Sequence, residues 1–146
     1  MATTGKYMPI GTIISDTVNP EHTLPALCDF LVTCMHEYEW QGHTDQFRAF
    51  EENYNLIQCA RAAVKNLHSC QFDSLFLELC EAIEAFCAPY TTLGTHPYDG
   101  ADLGIWPMLD NESLDAARDS GYRVEISDHG NVALYDAADI EIWSVV

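Results

Sequence analysis

Three sets of residues have the types and spacing to do chemistry. Asp128 stands beside His129 in the stretch Ser127-Asp128-His129-Gly130-Asn131. Cys34-Met35-His36 and His68-Ser69-Cys70 each place a thiol two residues from an imidazole. The largest set is acidic: 23 Asp and Glu face six Lys and Arg, a formal charge of −17.

The first set suggests acid–base work. A catalytic Asp–His pair needs the carboxylate to accept from one ring nitrogen while the other ring nitrogen faces a nucleophile. Adjacent residues rarely meet that demand, and no Ser or Cys nearby sits in a strained elbow. Gly130, Asp128 and Asn131 are turn formers, so this stretch reads as a hairpin turn. The second set suggests zinc. Zinc sites favour ligand pairs two to four residues apart and use two such pairs. The chain has no C-x-x-C, and Cys28, Cys34, Cys80 and Cys87 all fall in apolar helical stripes. Free cysteine of this kind is a small core residue. With no export signal evident, the six thiols are expected to be reduced. There is no phosphate loop, Rossmann glycine pattern, H-E-x-x-H or EF-hand loop. No catalytic residue, metal or cofactor is therefore expected.

The acids remain. Residues 1–98 hold 12 acids against four bases, and residues 99–146 hold 11 against two. The excess is spread through the body of the chain rather than gathered in a tail. Such a polyanion repels nucleic acid and anionic membranes and attracts basic surfaces, including those that hold nucleic acid. Glu78, Glu81 and Glu84 recur every three residues on a predicted helix. Asp99, Asp102, Asp110, Glu112, Asp115 and Asp119 continue the series, with Arg118 the one base between Asp73 and Asp119. Helical carboxylates three or four apart lie about 5–6 Å from one another. Phosphates along a strand are separated by a similar distance, about 3.4 Å of rise plus the helical path. These acids, with Trp106 or Tyr98 as apolar anchors, are the candidate partner-binding residues. A solvated face that only keeps the protein soluble is the plain competing reading, although small domains ordinarily carry a net charge of roughly 2–8.

The elements that must position these residues follow from periodicity. A short strand is expected at Met8–Ile14. Leu24, Leu27, Cys28, Leu31, Cys34, Met35 and Tyr38 form one helical stripe, begun near Asn19 or Thr23 with Pro20 and Pro25 in early turns and closed by Gly42. A second helix, capped by Thr44, would bury Phe47, Phe50, Tyr54, Ile57, Val64 and Leu67. A third, capped by Asp73 or Ser74 and stopped by Pro89, would bury Leu75, Phe76, Leu79, Cys80, Ile83, Phe86 and Cys87. Residues 88–110, with three Pro and three Gly, read as a long ordered connection. A short helix over 112–119, capped by Asn111 and closed by Gly121, leads into three alternating strands. The fold class expected is α+β: an N-terminal three-helix bundle followed by a short helix and a three-stranded antiparallel β-meander. Residues 1–88 would be the helical part and 89–146 the loop, short helix and meander, packed as one domain. At 48 % apolar residues the chain can bury a core. No run approaches the roughly 20 apolar residues of a membrane span, so a cytoplasmic protein is expected.

Trp106-Pro107-Met108-Leu109-Asp110, then Ser127–Tyr135 (SDHGNVALY), then Glu141–Val146 (EIWSVV) resemble the ending of small uncharacterised proteins of bacteriophages and other mobile elements. The resemblance implies a phage or plasmid origin and carries over no functional residues. As a class, small, very acidic proteins of mobile elements are similar to anti-CRISPR and antirestriction inhibitors, several of which imitate DNA. The leading expectation is thus a non-enzymatic, phage-encoded DNA mimic in the host cytoplasm. It would bind the basic nucleic-acid-binding surface of a host defence complex, such as a CRISPR surveillance complex, and block DNA binding. A phage accessory or structural protein with a solvated acidic surface, and a small metal-binding enzyme, are the other readings.

Overall fold

The computed structural model describes residues 7–15, 19–42, 45–96 and 99–145. The fold is α+β, with four α-helices and two three-stranded antiparallel sheets among the described residues. In chain order these are β1 (Gly11–Ile14), α1 (Pro20–Glu37), α2 (Gln46–Lys65), α3 (Phe72–Glu84), β2 (Thr91–His96), β3 (Asp99–Pro107), α4 (Asn111–Asp119), β4 (Arg123–Ile126), β5 (Val132–Tyr135) and β6 (Glu141–Val145).

Helix α1 starts where its sequence says it should. Asn19 accepts from the Glu21 N–H, and Pro20 takes the first helical position, where no intrahelical N–H bond is lost. Leu24, Leu27, Cys28, Leu31, Cys34 and Met35 are all buried. The helix ends at Glu37, five residues before Gly42. Thr44 lies outside the described residues, and Asp45 caps α2 by accepting from the Phe47 N–H. The buried side of α2 is Asn53, Ile57, Ala60 and Ala63. Phe47 is 88 % exposed, and Tyr54 and Leu67 are exposed as well. This corrects the expected stripe in part: Ile57 is buried and Phe50 and Val64 pack against the core as expected, while the small Ala60 and Ala63 make the rest of the contact. In α3, Phe72, Leu75, Leu79 and Ile83 face inward, and Phe86 follows just past the helix end. The helix runs on from a 3₁₀ turn at Ser69–Gln71, with no side-chain cap from Asp73 or Ser74.

The expected long connection over 88–110 is instead a β-hairpin. Strand β3 is the centre of the first sheet, paired antiparallel with β1 on one side and β2 on the other. Leu103 and Ile105 of β3 are buried against Met8 and the three helices in the larger core. Helices α1 and α3 therefore pack on a sheet as well as on each other and on α2. Gly94 pairs with Gly104 across the hairpin, and these glycines hide the strand pattern from a reading by composition.

A second, smaller core joins α4 to the second sheet, ordered β4-β5-β6. Leu114 and Ala117 of α4 pack with Leu134 and Trp143. Ala88 belongs to the same cluster, and the Trp143 indole N–H donates to the Pro89 carbonyl at 3.0 Å. Ile10 packs against both cores. Gly121 and Gly130 take positive φ where α4 closes and where the chain turns between β4 and β5. Ser127 Oγ accepts from the N–H groups of His129 and Asn131, so the Asp128–His129 stretch is organised as a turn.

Candidate functional site

The acids of α3 are placed by the burial of its other side. With Leu75, Leu79 and Ile83 committed to the core, Glu78, Glu81 and Glu84 are exposed. Glu78 and Glu81 line a groove of about 360 Å³ between α2 and α3. Glu52 and Asn53 of α2 form the facing wall, with Trp40 and Leu56 also lining it. Glu84 does not line this groove; its charge instead raises the pKa of both Cys80 and Cys87, after the larger effect of burial. The structure thus joins Glu78 and Glu81 to Glu52 and Asn53, which periodicity on one helix could not reveal. A signal for Glu52 existed: it lies four residues after Arg48, and the two form an exposed ion pair at 3.1 Å.

All four arginines are committed within the fold. Arg48 pairs with Glu52, Arg61 with Asp29, Arg118 with Asp115, and Arg123 with both Glu125 and Asp139. Among the described residues, no ion pair reaches Glu78, Glu81 or Glu84. Exposed pairs of this kind add little stability, but they settle where negative charge is left uncompensated.

The remaining candidates have other positions. Asp102 on β3 accepts from the Thr12 hydroxyl at 2.7 Å and ties β1 to β3. Of Asp99 only the backbone is described, opening β3, and Tyr98 lies outside the described residues. Trp106 is half-buried; its indole N–H donates to the Gly94 carbonyl at 2.9 Å, and its ring meets His96 edge-on at 4.9 Å. It braces the hairpin. Asp110, rather than Asn111, caps α4: its carboxylate accepts from the Ser113 hydroxyl at 2.8 Å and the Ser113 N–H at 3.0 Å. Those two bonds, the hydroxyl's first, hold its pKa below the usual carboxylate range. Asp115 is paired with Arg118 at 2.8 Å, and Glu112 and Asp119 are exposed at either end of α4. The α3 and α4 acids thus belong to helices buried in different cores.

The two thiol–imidazole pairs have different surroundings. Cys34 is buried and its thiol donates to Met8 Sδ at 3.2 Å, while His36 is exposed with a ring nitrogen 3.4 Å from the Tyr54 hydroxyl. His68 and Cys70 are both exposed. Among the described residues no three His, Cys, Asp or Glu are gathered as a metal would require. Burial pushes the Cys28, Cys80 and Cys87 thiols up to about 11 and Cys34 higher still, which makes them poor nucleophiles. An apolar cleft of about 200 Å³ lies between α1, α3 and the hairpin, lined by Phe72, Phe76 and Leu103 among others. No helix among the described residues is long and apolar enough to cross a membrane. Against protein-family models, curated proteins and solved structures alike, the chain has no significant match.

Proposed function

We propose that this chain is a non-enzymatic acidic inhibitor encoded by a phage or related mobile element. It binds the cationic nucleic-acid-binding surface of a host defence complex of the CRISPR type and competes with DNA there, in the host cytoplasm. The observation that carries this reading is the uncompensated charge of α3: Glu78 and Glu81 line a groove with Glu52, Glu84 follows on the same helix, and no arginine pairs with any of the three α3 acids. Keeping like charges together costs stability, and a basic partner would turn that cost into affinity. The α4 acids are the weaker part of the surface, because Asp110 and Asp115 already serve their own helix.

The test is capture of a DNA-binding complex from a phage host, followed by competition with its DNA at rising salt. Reversal of Glu78, Glu81 and Glu84 to Lys should weaken the interaction steeply. Added salt should do the same, because rim charges are screened over about 10 Å at 0.1 M. Affinity unaffected by salt, or by the triple reversal, would remove the electrostatic basis of the proposal.

A further inference from the structure

We infer that the α2–α3 groove is a receptor for a guanidinium group, the side chain of an arginine on the protein partner. The inference rests on the function proposed above and names what its acidic surface recognises. It starts from Asn53, which is only 8 % exposed yet polar, on the side of α2 that otherwise buries Ile57, Ala60 and Ala63. Its side-chain NH₂ turns inward and donates to Met35 Sδ at 3.8 Å; a sulfur can accept, so this leaves the carbonyl oxygen pointing the other way. No donor reaches that oxygen among the described residues, while no fully buried side-chain oxygen or nitrogen there lacks a partner. The oxygen therefore opens into the groove that Asn53 lines. In the free chain water can meet that acceptor, and an incoming donor would take the water's place.

Around this oxygen the groove offers what a guanidinium needs. Glu78 and Glu81 supply carboxylates from one wall, three residues apart on one helix face, with no arginine of this chain upon them. Trp40, Leu56 and Ala82 supply apolar lining. A guanidinium is planar and weakly hydrated, with donors around its edge and an apolar face. It can give its edge to carboxylates and amide oxygen while its face and methylene stem lie on apolar side chains. An ammonium is a compact, strongly hydrated charge and gains less from such lining. Arg48, which does not line the groove, holds Glu52 by one N–H at 3.1 Å, and no arginine of this chain holds the two α3 acids.

The experiment is NMR titration of the full isotope-labelled chain with a short peptide of alternating arginine and serine, and with its lysine counterpart. The arginine peptide should shift the Trp40 indole and Asn53 carboxamide signals and bind at least about tenfold more tightly than the lysine peptide. Glu78→Gln with Glu81→Gln, both exposed substitutions, should abolish the shifts, and Asn53→Leu should weaken them. Equal affinity for the two peptides would overturn the inference. So would arginine binding that leaves those signals still, or that persists in the E78Q/E81Q variant. In either of those cases salt-sensitive capture of the partner could still stand, so failure of the groove and failure of the wider proposal are told apart.

Discussion

Asp110 shows how an acid that reads as part of a binding surface can have a duty in the fold. Its two bonds from Ser113 exist for the carboxylate, and they lower its pKa in the folded chain. A carboxyl with a depressed folded pKa contributes stability that is present above its unfolded pKa and is lost as pH falls through the folded one. Asp110→Ala should thus lower the thermal midpoint at neutral pH, and the gap from the parent should close as acid protonates the cap. Asp110→Asn keeps an acceptor and should retain most of the midpoint. Circular dichroism melts from neutral pH down through the carboxylate range check both. Trp143 offers a second case. Trp143→Phe keeps most of the packing on α4 but loses the N–H bond to Pro89, an expected cost of about 1 kcal/mol. Trp143→Ala also empties the smaller core and should cost about 3–5 kcal/mol in denaturant unfolding.

Elements were legible in the sequence to the degree that large apolar side chains mark their buried faces. Helix α1 does this throughout, and every member of its stripe from Leu24 to Met35 is buried. Helix α2 does so only in part: Phe50, Ile57 and Val64 pack against the core, but Asn53, Ala60 and Ala63 share its buried side while Phe47 and Tyr54 point outward. The α2 wall of the acidic groove, Glu52 and Asn53, was therefore invisible to periodicity, whereas Glu78 and Glu81 were not. The β2–β3 hairpin was missed for a related reason: its glycines resemble loop residues but meet a steric demand. A Cβ on Gly104 would run into the Gly11 carbonyl oxygen, Thr12 Cα at 2.9 Å and Trp106 Cζ2 at 2.8 Å. One on Gly94, its cross-strand partner, would meet nothing within 4 Å. Gly104→Ala should accordingly weaken β1–β3 pairing and cost about 1–3 kcal/mol. Gly94→Ala should stay within about 0.5 kcal/mol of the parent. Urea unfolding gives the two costs, and amide exchange at Thr12 and Ile14 shows whether β1 has loosened.

At the scale of the whole molecule the sulfur and the charge make separate predictions. Thiols with raised pKa values contribute stability that is complete below their unfolded pKa and is lost as pH rises through the folded value. For Cys28, Cys80 and Cys87 that window runs from about pH 9 to about 11, so the fold should weaken across it. At neutral pH, Cys59 and Cys70 should alkylate first, since both are exposed, and Cys28 and Cys34 should react only on unfolding. The charge acts in the other direction at neutral pH, through self-repulsion across a chain of net −17. Salt should screen that repulsion and stabilise the fold while it weakens the partner complex, giving opposite slopes from the same carboxylates. Reversing Glu78, Glu81 and Glu84 to Lys changes the charge by two at each position, from −17 to −11. The variant should then be more stable than the parent at low salt, less helped by added salt, and defective in binding. A triple variant less stable than its parent at low salt would mean that these glutamates hold the fold together, and their uncompensated charge would need no partner to explain it.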